Sequence, residues 1–383
     1  MSVDHSNRSG AGAGAGAGAD TGTDIDSGTG SRSDSGAGVR PVVARFGLRF
    51  RFRRSVLVPL SAAAVVLVTG TGGWYAAGGG GQPGPGGTPL APADPTTPLA
   101  PLTPLAPVAK EMDLPWPAEG QSSVEVEGIG SLGAVGEQTP VPIASVTKVM
   151  TAYVILKNHP LRPGAAGAKI VADQRAADES FSTVETTAPV LAGREYTQRR
   201  LLELMMLPSG NNVARLLARW DAGGQKKFVG KMNEAAAALG MNRTVYTGVS
   251  GMEASTKSTA VDQLKLARAV MKDPAFRQVV ATRAVTAPGA GTEIRNTNRL
   301  LGRDGVIGLK TGTTTPAGGN FMWAATQKIA GTSRLILGVV LRQRAGTSPV
   351  EGSTAVREAS HALITAIRAD LPDAVARHAA REK

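Results

Sequence analysis

The 383-residue sequence contains no cysteine, which excludes a thiol nucleophile, a cysteine-ligated metal and a disulfide framework. Histidine is also scarce: His5, His159, His361 and His378 are the four present. None sits in an H-E-x-x-H or another recognisable catalytic context, so neither a metallohydrolase nor a Ser-His-Asp enzyme is indicated, and no metal or cofactor is expected. His159, in Asn158-His159-Pro160, reads as a helix-ending surface residue. Aromatic residues make up 4% of the chain, and the apolar run described below points to export, so nucleic acid is not an expected partner. The net charge is nevertheless +12. The first 109 residues hold eight basic and six acidic side chains, which leaves 34 basic and 24 acidic on residues 110–383. Most of the basicity therefore belongs to the folded part, where it suits an anionic polymer or lipid surface.

What is present divides the chain by composition. Residues 1–54 begin with Gly, Ala, Ser and Asp, too polar and too small to bury a core, and are expected to be disordered. Arg40, Arg45, Arg49, Arg51, Arg53 and Arg54 then precede an uncharged apolar run over residues 55–77. At ~1.5 Å per residue the run is just long enough to cross a bilayer, and the arginine excess sets its N-terminal side in the cytoplasm. A cleaved signal peptide competes, because the most apolar part, Val56 to Val68, is short; the long preceding tail favours an uncleaved anchor. Arg53-Arg54 also fits twin-arginine export. Residues 78–114 form a Gly-rich and then Pro-rich spacer in which Thr-Pro-Leu-Ala-Pro begins at Thr88, Thr97 and Thr103. Such a spacer reaches ~3.1 Å per residue. Residues 115–370 are globular in composition, and 371–383 read as a polar tail.

Within the globular part, Ser123 to Val126 and Leu132 to Val135 suggest a hairpin. Helical patterns follow from Ser145 to about Lys157, over Thr197 to Trp220 with a break at Pro208-Ser209-Gly210, over Lys226 to Leu239, and over Asp262 to Met271. Val306 to Leu309 reads as a short strand, followed by Asn320 to Thr326 and Ser333 to Leu341. Ser353 to Ile367 is a final amphipathic helix. Strands at both ends and helices between them predict an α/β (α+β) domain: a central antiparallel sheet built from both domain termini, with flanking helices and an inserted helical lobe.

Three short motifs carry the chemistry. Ser145 and Lys148 stand three apart, so a hydroxyl and an amine share one face of a helix start, pairing a nucleophile with a base without histidine. Lys148 can accept a proton only as a neutral amine, which burial, a helix N-terminus or a nearby cation such as Lys310 would favour. An ordinary N-capping serine is the alternative, but Ile143, Ala144, Val146, Val149 and Met150 make this a buried helix start. Ser209-Gly210-Asn211 is either a plain turn or a loop offering a hydroxyl to relay the leaving group's proton and an amide to hold substrate. Lys310-Thr311-Gly312 is either a strand-end charge with a glycine turn, or a strand edge on which an extended substrate pairs while lysine and threonine bind an anionic terminus. Backbone N–H groups at Ser145 and Thr313 would then form an oxyanion hole.

In this order the three motifs resemble the penicillin-binding protein and serine β-lactamase superfamily, and within it the low-molecular-mass D-alanyl-D-alanine carboxypeptidases. Pro142 to Ala152, Met206 to Asn212, and Asn296-Thr297-Asn298-Arg299-Leu300-Leu301 shortly before Lys310 are similar to that family's segments, over about residues 115–370. The resemblance implies Ser145 as nucleophile, Lys148 as base, Ser209 as a further catalytic residue, and Asn211, Lys310, Thr311, Gly312 and Thr313 at the substrate. It implies an extracytoplasmic enzyme, held at the cell membrane by its N-terminal segment or secreted after cleavage. Such an enzyme removes the last D-alanine of a peptidoglycan stem through an acyl-serine and is acylated by β-lactams. Asn212 stands where aspartate is frequent, and Tyr246 to Met252 departs from the family's corresponding loop. The sequence leaves no room for the C-terminal β-rich domain and membrane-binding helix of some members. A β-lactamase is disfavoured because no Glu-x-x-Leu-Asn follows the second motif. A catalytically idle wall-binding or penicillin-sensing module remains the alternative from another class.

Overall fold

A computed structural model describes residues 104–382 except 287, 288 and 290. The expected basic tail and apolar run therefore lie outside the described residues, as does most of the spacer. Short stretches rich in apolar residues build five strands: β1 (Gln121–Val126), β2 (Gly130–Val135), β3 (Val306–Thr314), β4 (Gly318–Ile329) and β5 (Thr332–Gln343). They form one sheet in the order β2-β1-β5-β4-β3, with every neighbouring pair antiparallel. β1 pairs with β5 across most of the domain's length, Val124 opposite Gly338, so the sheet is indeed assembled from both termini.

Because side chains alternate along a strand, each strand serves two layers. On β4, Phe321, Trp323 and Ala325 enter one core, and Met322 and Ala324 enter the other. Gly338 lies opposite Trp323, and a methyl group there would overlap the indole. That glycine gives a fully buried tryptophan its place against the neighbouring strand.

One face of the sheet carries the helical lobe, inserted between β2 and β3: α1 (Lys148–Asn158), α2 (Gln174–Glu179), α3 (Gln198–Met206), α4 (Asn211–Ala222), α5 (Gln225–Ala238), α6 (Ala260–Val270) and α7 (Pro274–Ala281). Thr197 caps α3 and Thr259 caps α6, each side chain accepting from a backbone N–H three residues on. The other face is covered by α8 (Pro349–Arg381), which starts at a Ser348–Glu351 capping box with Pro349 at its first turn. Leu363, Ile364 and Ile367 of α8 pack on Val124, Phe321 and Val340.

Three expectations change. β3 is nine residues long and runs through Lys310-Thr311-Gly312 instead of ending before it. The lysine is thus an interior strand residue, because Thr311 and Lys310 continue the ladder opposite Phe321 and Met322. The last helix does not stop at Ile367: Leu371 and Ala374 extend its apolar stripe past Pro372, and Arg377 and Arg381 pair with Glu111. Residues 371–381 are therefore helix instead of a tail. Packing also starts before residue 115. Leu105 bridges Ser131 of β2, and Val108 in a short 3-10 helix (Pro107–Glu111) and Leu114 are buried. Among the described residues no helix is long and apolar enough to cross a membrane.

Candidate active site

Ser145 lies in a single 3-10 turn, Ala144–Thr147, immediately before α1 begins at Lys148. The expected helix thus starts one turn later than Ser145, and the tighter turn brings the two side chains together. Lys148 Nζ is 2.8 Å from Ser145 Oγ, 2.5 Å from Asn211 Oδ1 and 2.8 Å from the Ser250 carbonyl. The lysine is 0% exposed. Burial, then the positive charges of Lys310 and Arg215, drive its pKa well below the ordinary lysine value, against opposition from Glu185 and Glu253. A neutral amine has two N–H groups and one lone pair. Two of its three neighbours, the Asn211 and Ser250 oxygens, can only accept. They take both N–H groups, and the lone pair is left for the Ser145 hydroxyl.

The partners of Lys148 come from separate loops. Ser209 sits between α3 and α4 with φ at +69°, a left-handed conformation unfavourable for a residue with a side chain. Its Oγ is buried and finds no hydrogen-bond partner among the described residues, while its carbonyl accepts from Thr186 Oγ1 at 3.0 Å. The strained turn thus aims an unspent hydroxyl at the site. Asn211 opens α4. Its Oδ1 accepts from Lys148 and its Nδ2 donates to Glu185 Oε2 at 2.8 Å, so a cation and a carboxylate fix which way the amide faces. Burial pushes the Glu185 carboxyl up, but hydrogen bonds from Arg215 and Asn211 outweigh this and hold it below the usual carboxylate range. Asn212 serves the scaffold: it is fully buried and bonds both the N–H and the carbonyl of Ala188 and the carbonyl of Ala176. An aspartate there could accept but not donate.

The loop of residues 246–252 holds the base from the opposite side. Besides the Ser250 carbonyl on Lys148, the Val249 carbonyl accepts from Thr151 Oγ1 of α1 at 2.7 Å. Its unusual sequence therefore bears on the position of Lys148 through backbone groups, which tolerate side-chain change.

β3 forms the other wall as the outer strand of its edge of the sheet. Lys310 is 1% exposed, with Nζ donating to the Thr311 carbonyl at 2.8 Å, and burial lowers its pKa to about 7. Gly312 faces the nucleophile's turn, where a Cβ would stand 2.6 Å from Ser145 N and 2.8 Å from Val146 N. Only glycine leaves the Ser145 N–H room for a guest oxygen. A cleft of about 400 Å³ is bounded by Ser145, Ser209, Thr186 and the Thr311–Thr313 edge. No Asp or Glu is among its lining residues. Among the described residues no group of three or more His, Asp or Glu could hold a metal ion.

All eight residues singled out in the sequence thus lie in one region. Reading the sequence missed Glu185, Arg215, Ser250 and Thr186. Arg215 carries a recoverable signal, four residues after Asn211 on the same helix face. Glu185 and Thr186 belong to a connecting segment with no periodicity, and Ser250 acts through its backbone.

Residues 131–344 match the sequence profile of the family described as D-alanyl-D-alanine carboxypeptidase. A protein of that name from Streptomyces sp. strain K15 is 35% identical over 213 residues, 51% of this chain and 71% of the relative. A D-alanyl-D-alanine endopeptidase from Escherichia coli K12 is 33% identical over 186 residues, 46% of this chain and 57% of the relative. The crystal structure of the Streptomyces K15 DD-transpeptidase superposes with a TM-score of 0.57 at 31% identity, covering 66% of this chain and 100% of that one.

Proposed function

Because the chain belongs to the D-alanyl-D-alanine carboxypeptidase family of serine peptidases, we propose that its cleft removes the terminal D-alanine from peptidoglycan stem peptides through an ester on Ser145. One observation carries the assignment: Lys148 Nζ is held by two acceptor-only oxygens and 2.8 Å from Ser145 Oγ. Ser145 Oγ attacks the carbonyl carbon of the penultimate D-alanine as Lys148 takes its proton. The developing oxyanion lies against the N–H groups of Ser145 and Thr313. The peptide C–N bond then breaks, and the departing amine receives a proton relayed through Ser209. Water next attacks the ester carbonyl, giving its proton to Lys148, and Ser145 leaves with a proton restored. Lys310, Thr311 and Thr313 bind the terminal carboxylate, Gly312 gives backbone access, and Asn211 holds a substrate amide.

A β-lactam presents a strained amide with an adjacent carboxylate to the same groups and would acylate Ser145. The cleft has no Asp or Glu in its lining to activate a fast deacylating water, which disfavours a β-lactamase. The test is turnover of a diacetyl-lysyl-D-alanyl-D-alanine peptide by the full chain, with release of D-alanine. Ser145→Ala should abolish both turnover and labelling by a fluorescent penicillin. Labelling without turnover would overturn the carboxypeptidase reading in favour of a penicillin sensor.

The same reading places the cleft outside the cytoplasm, supported by the arginine-flanked apolar run at residues 55–77 and the proline-rich spacer. Protease added to intact spheroplasts should digest the domain. Protection of it there, with digestion only after lysis, would reject this placement.

A further inference from the structure

A side pocket of about 30 Å³ opens beside the cleft, past Thr311 and away from the nucleophile. It shares Thr297, Arg299, Thr311, Ser353 and Arg357 with the cleft but touches neither Ser145 nor Ser209. That volume suits one small polar group. Its lining contains two guanidinium groups and no Asp or Glu. Neither Arg299 nor Arg357 makes an ion pair or hydrogen bond among the described residues, although this chain pairs Arg175, Arg215, Arg219, Arg268 and Arg377 with carboxylates. Asn298 also lines the pocket. It is 4% exposed, its Oδ1 accepts from Leu300 N, and its Nδ2 has no acceptor among the described residues. A buried amide left without a partner is costly, so a small acceptor suits this place.

The pocket therefore gathers donors of one kind from two elements: Arg299 and Asn298 from the segment before β3, and Arg357 from α8. Guanidinium forks match carboxylates in bidentate geometry. The terminal carboxylate of the leaving D-alanine already has Lys310, Thr311 and Thr313 beside Ser145. The pocket adjoins that place through Thr311 and is backed by the buried side chains of Leu300, Phe321 and Val356.

We propose that this pocket receives a second carboxylate on the leaving group, so that the enzyme favours substrates in which the amine released from the penultimate D-alanine belongs to an amino diacid. The inference rests on the carboxypeptidase reading of the cleft and names the leaving group it prefers. The chemistry is unchanged. The D-alanyl C–N bond breaks, the amino diacid departs with the relayed proton, and water completes the acid on the donor.

The test compares three peptides on the full chain, diacetyl-lysyl-D-alanine extended by D-alanine, D-glutamate or D-glutamine, measured as kcat/KM. D-Glutamate and its neutral isostere D-glutamine differ only in the second charge. The wild type should prefer D-glutamate over D-glutamine by about tenfold or more. Arg357→Gln and Arg299→Gln should bring that ratio near one, and Arg357→Lys should retain part of it. A wild-type ratio of one or less overturns the proposal even if both variants misfold. Equal loss on all three peptides with an unchanged ratio also overturns it, and would assign the arginines to the terminal carboxylate. If no peptide is turned over and Ser145 takes no penicillin, the underlying carboxypeptidase reading fails instead.

Discussion

Replacing Lys310 with methionine should make this protein more stable and inactive, and the stability gain should depend on pH in a calculable way. Lys310 is 1% exposed, and burial lowers its pKa from 10.5 to about 7. A fall of that size corresponds to about 5 kcal/mol of preference for the neutral form, at 1.36 kcal/mol for each tenfold change. The unfolded chain binds the proton more readily than the folded one, so wild-type stability rises with pH between about 7 and 10.5. Below that window the penalty is present in full, at about 5 kcal/mol. By pH ~9 about 2 kcal/mol of it remains. Methionine, similar in length and apolar, carries no such penalty and forfeits one hydrogen bond to the Thr311 carbonyl, worth about 1 kcal/mol. Lys310→Met should therefore exceed wild type by several kcal/mol at pH ~6, with the gap shrinking by about 3 kcal/mol by pH ~9. Relief of Lys148, which Lys310 repels, works in the same direction. Urea denaturation across this range reads the gap, and penicillin labelling reads the site. The range stops short of pH 10 because burial raises the Tyr246 phenol, which lowers stability once the unfolded chain's tyrosine begins to ionise. A gap that stays constant from pH 6 to 9 would refute the claim that Lys310 is held against its burial penalty.

Other perturbations address the rest of the site. Ser209→Ala removes the unpartnered buried hydroxyl and should lower kcat by ~10²–10³-fold with little change in fold, as general acid–base relays do; circular dichroism and steady-state kinetics together check this. Gly312→Ala puts a methyl group 2.6 Å from Ser145 N and should cost about 10²-fold or more in acylation by penicillin, because a small displacement of reacting groups is enough; labelling within threefold of wild type would refute it. Glu185→Gln frees the Asn211 amide to turn, so kcat should fall while penicillin binding before acylation persists, measured by separating the two steps in stopped flow. The profile of kcat/KM against pH should rise as Lys148 loses its proton and fall as Lys310 loses its own near pH 7. In kcat the falling limb should move to higher pH, since a bound carboxylate favours the Lys310 cation.

The sheet was legible in the sequence as short apolar runs at both ends of the domain, such as Phe321 to Ala325, although only the structure shows that alternate residues of such a run enter different cores. The nucleophile and its two companion motifs were legible as well, because their chemistry lies in residue type and short spacing. β3 was cut short because Lys310, Thr311 and Gly312 are poor strand signals. They are strand nonetheless, since pairing with β4 outweighs local preference. α8 was cut short at Ile367, because its continuation depends on Leu371 and Ala374 being buried and on Arg377 and Arg381 finding Glu111. Glu185 and the Ser250 carbonyl were invisible because what matters about them is only where the chain returns. Asn298 was quoted in a similar stretch, but its lack of an acceptor is a property of three dimensions.

The two buried lysines are best understood as one device. Each is costly to charge where it sits because it is buried, and the charge of Lys310 makes Lys148 costlier still. Lys148 bears the larger burden, since Arg215 adds to the repulsion from Lys310. The proposed mechanism calls for Lys148 to give up its proton first as pH rises, with Lys310 left as the cation. This order is what the chemistry needs: a neutral amine 2.8 Å from the nucleophile and a positive charge at the strand edge where an anionic terminus binds. A histidine would titrate near neutrality without such arrangement. With lysine, neutrality of the base is imposed by burial and by its neighbour. Replacing Lys310 with any neutral residue should thus do two separable things, raising the pH at which Lys148 becomes a base and weakening carboxylate binding. Lys310→Arg keeps the charge and should preserve the rising limb while losing the falling one. If the rising limb moves equally in the neutral and arginine variants, the charge of Lys310 is not what depresses Lys148.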